Sequence, residues 1–151
     1  NQMKISSIRE LEKIVQKIKK KLLKGDTIFL YGEIGVGKTT FARLLINQYE
    51  YERKINKSEV LSPTFNIVFE YNINNFIIKH YDLYRLKKNE DIKNIGLFEN
   101  SKKNITLIEW PEIIKKKPIN RIDLFFDYSK DMNERYLRIK SSGRLKNCEF
   151  F

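Results

Sequence analysis

The sequence predicts an α/β fold in a single domain, with helices flanking a sheet that mixes parallel and antiparallel strands. Three observations carry that prediction. A β-branched and aromatic run, Thr27 to Tyr31, leads directly into a glycine-rich loop and then into residues at helical spacing. Two later strand-like runs end in acids, Asp82 and Glu109. Two pairs of runs are joined by short polar turns, as antiparallel neighbours are.

The elements follow in order. From Ser7 the chain reads as a capped amphipathic helix: Ser7 and Glu10 have capping-box spacing, Ile8, Leu11, Val15, Ile18 and Leu22 form one apolar stripe, and Gly25 is the stop. Thr27 to Tyr31 is a buried central strand, and Lys38 to about Gln48 is a helix through Phe41, Leu44 and Leu45. The charged stretch Glu50 to Glu59 reads as an exposed connection. Phe65 to Tyr71 and Phe76 to Asp82 flank Asn72-Ile73-Asn74-Asn75, whose asparagines tolerate the positive φ of a hairpin turn. A short polar helix is expected at Asn89 to Asn94 and a buried strand at Ile105 to Glu109. Ile122 to Tyr128 and Tyr136 to Lys140 pair around a turn at Asp131 to Asn133.

Composition narrows the function classes. At 151 residues, with 41% apolar and 13% aromatic content, the chain can bury one core. No stretch approaches the roughly 20 apolar residues of a membrane span, and the basic N-terminal segment lacks a signal-peptide core. A cytoplasmic protein without membrane contact is therefore expected. Cys148 is the single cysteine, which rules out an intramolecular disulfide and a cysteine-based zinc site; His80 is the single histidine. The net charge of +11 suits an anionic partner such as RNA, although richness in Lys, Asn and Ile is equally what an AT-rich genome encodes. The triplets Lys19 to Lys21 and Lys115 to Lys117 read as solvated faces. Asn1 and Gln2, ahead of Met3, look like expression-vector remnants.

The chemistry concentrates between Gly32 and Thr40. Gly32-Glu33-Ile34-Gly35-Val36-Gly37-Lys38-Thr39 matches G-x-x-x-x-G-K-S/T, the P-loop pattern, and lies between a strand and a helix as that pattern requires. The glycines let backbone N–H groups turn toward a phosphate, and the helix beginning at Lys38 points its positive dipole end at the same place. Lys38 adds a mobile charge for β- and γ-phosphates, the Thr39 hydroxyl suits Mg2+, and Thr40 assists with phosphate. The expected ligand is ATP with Mg2+. Magnesium also wants one or two carboxylates: Glu109 follows an apolar run as a metal-associated acid does, and Asp82 suits a water-orienting role. Either acid can touch the metal, and the residues do not choose between them. His80 reads as a structural strand residue and Trp110 as either core filler or a site residue.

The P-loop, Ser62-Pro63-Thr64-Phe65, His80-Tyr81-Asp82-Leu83-Tyr84-Arg85-Leu86 and Ile108-Glu109-Trp110-Pro111, in this order, give the chain a resemblance to the bacterial TsaE (YjeE) family. The resemblance runs from about Ile28 to Pro111. It implies an ATPase, weak alone, that supports threonylcarbamoyladenosine synthesis in tRNA together with the TsaB and TsaD proteins, meeting tRNA through that complex. It also implies that Lys38 and Thr39 serve phosphate and magnesium, that Glu109 is the metal-associated acid, that Thr64 and Asp82 lie in switch-like segments, and that Arg85 and Trp110 belong to motifs associated with activity. A threonine that the family commonly carries in its first helix near the base has no counterpart, since Thr27 is the earliest threonine here. Two alternatives stand beside this reading: a small-molecule kinase, which wants a basic lid, and a non-catalytic RNA-binding module, which wants exposed aromatic platforms. Asn56-Lys57-Ser58-Glu59 imitates a guanine motif but follows a charged loop and ends in the wrong acid.

Overall fold

The computed structural model describes residues 2–150; Asn1, read above as a vector remnant, lies outside them. Gln2 is part of the sheet. It opens an edge strand, β1 (Gln2–Ile5), whose Gln2 sits opposite Arg138 in an antiparallel ladder. Sequence reading misses β1 because four residues give too short an alternation, and only Ile5 is fully buried.

Helix α1 (Ile8–Lys21) starts at Ser7, whose Oγ accepts the Glu10 N–H at 3.2 Å. The Glu10 carboxylate returns to the Ser6 N–H at 2.8 Å rather than to Ser7, so the capping box is displaced by one residue. Leu11, Ile14, Val15 and Ile18 are buried, each contributing about 1.5–3 kcal/mol of transfer free energy, while Ile8 from the expected stripe stays half exposed. The helix stops at Lys21, and Gly25, at φ 97°, turns the chain into β2 (Thr27–Tyr31).

Helix α2 (Lys38–Glu52) is longer than its periodicity suggests, and the exposed connection expected from Glu50 is corrected here. Glu50 is buried. It accepts the Ser58 backbone N–H at 3.0 Å, the Ser58 hydroxyl and the Asn47 amide, so the following loop folds back onto the helix. The imitation of a guanine motif at Asn56 to Glu59 is thus part of a structural clasp.

β3 (Val68–Asn72) and β4 (Ile77–Asp82) form the expected hairpin, with Asn74 at φ 68° in its turn. The strand starts at Val68 rather than Phe65 because Ile67 adopts φ 70° and donates its N–H to Pro63 O at 2.6 Å, closing a turn that leaves Phe65 exposed. After α3 (Asn89–Asn94) come β5 (Asn104–Glu109) and the hairpin of β6 (Arg121–Tyr128) and β7 (Arg135–Ser142).

These strands make one seven-stranded sheet in the order β1-β7-β6-β2-β5-β4-β3. β2 lies parallel to both β5 and β6, and β4 lies parallel to β5; the outer pairs are antiparallel. Ile28 and Leu30 join the core under α1 and α2, and Phe29 joins a second cluster with Tyr81, Leu83, Ile92 and Ile108 on the other side. Tyr31 and Phe125 stack at 4.5 Å and stay only half-buried, with the Arg138 guanidinium 4.1 Å over Phe125. The central parallel strands end together, and at that end the site assembles.

Candidate functional site

β2 delivers the glycine loop over the end of β6. Gly32 sits at φ 142°, and a Cβ there would lie 2.7 Å from both Phe126 O and Val36 Cγ1, so only glycine passes. Gly37, at φ 126°, is the N-cap of α2 and offers no side-chain cap, which leaves the first-turn N–H groups free of side-chain partners. Lys38 follows, almost wholly buried. Its Nζ donates to Gly32 O at 2.5 Å and lies 3.6 Å from the centroid of the Trp110 ring. Burial pulls the Lys38 ammonium below the ordinary lysine range, and the carboxylates of Glu109, Asp82 and Glu112 oppose that pull.

The Thr39 hydroxyl donates to Glu109, 2.9 Å from Oε2 and 3.1 Å from Oε1. Glu109 is buried at the end of β5, and its Oε2 also lies 2.6 Å from His80 Nε2. Asp82 closes β4 directly opposite Glu109. Its Oδ2 accepts the Thr64 hydroxyl at 2.9 Å and the Ser62 hydroxyl at 3.2 Å, and its Oδ1 accepts the Tyr84 N–H at 2.9 Å. Lys38, Thr39, Thr40, Gly35, Gly37, Thr64, Asp82 and Glu109 thus face one cavity of about 380 Å³, with Tyr84 and Trp110 on its wall.

This donor set fits magnesium. A hydroxyl and a carboxylate already meet at 2.9 Å, and all candidate ligands are hard oxygens. Among the described residues no cluster of three or more His, Cys, Asp and Glu side chains could hold a metal by itself.

Other residues quoted from the motifs fall elsewhere. Glu33 is exposed and lines neither this cavity nor a second one of about 320 Å³, into which Val36 faces. Arg85 lies outside both cavities and staples the loop after Pro63 through Phe65 O at 3.1 Å. Thr27 is buried at the far end of β2 from the glycine loop. The second cavity went unseen in the sequence: it lies between the β1–α1 junction and the P-loop, with apolar walls from Ile5, Leu11 and Phe126 and polar groups from Ser7, Asn133 and Arg135. No motif marks it, because its walls come from three distant stretches. His80, read from sequence as a strand residue only, reaches Glu109 because β4 and β5 are neighbours.

A strand, glycine loop and helix, set beside parallel strands that end in acids, define an α/β protein of the P-loop class. The family model described as "Threonylcarbamoyl adenosine biosynthesis protein TsaE" matches residues 5–137. The chain belongs to the TsaE family. It is 40% identical over 111 residues to the tRNA threonylcarbamoyladenosine biosynthesis protein TsaE of Rickettsia conorii, covering 74% of this chain and 61% of that protein. The Rickettsia typhi protein of the same name is 34% identical over 144 residues, which cover 93% of this chain and 95% of the relative. The crystal structure of Bacillus subtilis YdiB superposes with a TM-score of 0.71 at 25% identity, covering 95% of this chain and 86% of that one. Among the described residues no helix is long and apolar enough to cross a membrane.

Proposed function

We propose that this protein binds ATP with Mg2+ and hydrolyses it in support of threonylcarbamoyladenosine formation on tRNA, together with TsaB and TsaD family proteins. One observation carries the reading: the P-loop lysine, the Thr39–Glu109 pair and the Thr64–Asp82 pair all face a single cavity. The loop amides would receive the triphosphate, and Lys38, now on Gly32 O, would supply its charge to the β- and γ-phosphate oxygens. Thr39 and Glu109 would hold magnesium, with Asp82 beside them. The ion would supply charge neutralisation to the phosphates. Asp82, aligned by Thr64, Ser62 and the Tyr84 N–H, orients the attacking water. Thr64 lies in a loop tied down mainly by side-chain hydrogen bonds, the kind of segment that reports whether the γ-phosphate is present. The second cavity takes the base: its walls are apolar, and Ser7, Asn133 and Arg135 offer the hydrogen-bonding groups that the missing helical threonine does not.

The kinase alternative lacks support. Arg121 is paired with Asp123 and Arg144 with Asp26, so they do not form a lid. The decisive test is Lys38→Ala, assayed for nucleotide affinity and for ATP turnover with TsaB and TsaD present. Affinity should fall by about 10–100-fold, the value of one or two charge-assisted hydrogen bonds, and turnover should drop to background. Wild-type turnover in that variant removes the proposed centre.

A further inference from the structure

We infer that His80 is a positioning residue, which donates from Nε2 to Glu109 Oε2 and fixes the carboxylate at the angle from which it serves magnesium. The inference rests on the nucleotide reading above. His80 is fully buried in the middle of β4, and its side chain lies on the same face of the sheet as Asp82 and Glu109. Its Nε2 is 2.6 Å from Glu109 Oε2, and among the described residues its buried Nδ1 has no partner.

Those two facts assign the proton. An ionised carboxylate only accepts, so the ring nitrogen that meets Glu109 must carry the hydrogen. A hydrogen on Nδ1 would be a buried donor without an acceptor, which costs more than a bare lone pair in an apolar wall. The ring therefore presents Nε2–H to Glu109, packed with one function pointing at the site.

The consequence lies in how Glu109 is divided. Its Oε2 receives His80 from the core side and Thr39 from α2, while Oε1 has only the longer Thr39 contact at 3.1 Å. The carboxylate is thus clamped between a strand and a helix, with acceptor capacity left on the cavity side. A glutamate at a strand end has rotatable bonds to freeze, and freezing them beforehand removes that cost from metal binding. Without His80 the carboxylate retains the Thr39 contact but loses its side-chain bond to the neighbouring strand.

His80 is the single histidine, so protein labelled with 15N-histidine yields one imidazole spectrum. In the nucleotide-free protein that spectrum should show the proton on Nε2, and the resonance should shift on adding ADP with Mg2+ but not ADP with EDTA. A proton on Nδ1, or no Mg2+-dependent shift, overturns the inference. Two variants give an independent reading: His80→Leu keeps the volume and removes the donor, whereas His80→Gln places an amide N–H near the same point. Titrating Mg2+ into protein saturated with a fluorescent ADP should show about 10–100-fold weaker metal binding for His80→Leu. His80→Gln should restore most of that affinity, and all forms should bind nucleotide equally in EDTA. An unaffected His80→Leu, or a His80→Gln as weak as it, reduces His80 to core packing and overturns the inference. Should His80→Leu not fold, the comparison of His80→Gln with the shorter His80→Asn carries the same decision. If the wild-type protein takes up no Mg2+–ADP, the nucleotide reading itself falls; if it does and the variants match it, only the role of His80 falls.

Discussion

Glu109 and Asp82 end neighbouring parallel strands, stand opposite each other in register and are equally buried, yet they are held by different kinds of structure. Glu109 is gripped by His80 from β4 and Thr39 from α2, both inside regular elements. Asp82 is gripped by Ser62 and Thr64, from a loop whose other anchors are a tight turn at Pro63 to Ile67 and the Arg85 staple. The same residue class at the same kind of position is thus fixed between regular elements in one strand and tied to a loop in the next. What separates them is the neighbour each strand was given, not the strand.

Breaking that contrast takes a substitution on each side. The largest effect is expected from Glu109→Ala. Turnover with the partner proteins should fall by at least about 100-fold, as when one preorganised electrostatic group is removed from an active centre. The fold should lose about 1–3 kcal/mol in urea unfolding, because the His80 N–H is left buried and unpaired. A stable, active Glu109→Ala protein erases the difference between the two acids. A smaller effect is expected from Thr64→Ala. The lost bond to Asp82 is worth about 0.5–1.5 kcal/mol, so stability should fall by no more than that and turnover by about 2–10-fold, while nucleotide affinity barely moves. A stability loss equal to that of Glu109→Ala would show the loop to be as rigid as the strand.

The smallest effect comes from a third buried acid remote from the cavity. Asp26 is buried beside Leu23 and Arg144, and burial raises its carboxyl above the ordinary 3.8 although the Leu23 N–H and Arg144 pull it down. Between 3.8 and the raised value the folded state binds more protons than the unfolded one. The stabilisation from this group is therefore complete below pH 3.8 and lost as pH rises through the folded value. Relative to Asp26→Asn, the wild-type protein should gain stability as pH falls from 7 toward 4, read from urea midpoints at each pH. The opposite slope would mean that the Arg144 pair outweighs burial and that Asp26 behaves as an ordinary ion-pair acid.

The sequence alone determined the parts that are local along the chain. The glycine loop needs only a strand before it and a helix after it, so Gly32 to Thr39 announces itself from eight consecutive residues, and the acids at Asp82 and Glu109 announce themselves by ending strand-like runs. The hairpin turns were legible for the same reason. Tertiary structure decided whatever depends on which strands become neighbours: the edge strand β1, the cavity between Ser7 and Arg135, the burial of Glu50 beneath Ser58, and the bond from His80 to Glu109. Backbone geometry and phosphate chemistry act over a few residues and leave a pattern in order. A contact across a sheet leaves none, because it joins positions that the chain itself keeps dozens of residues apart.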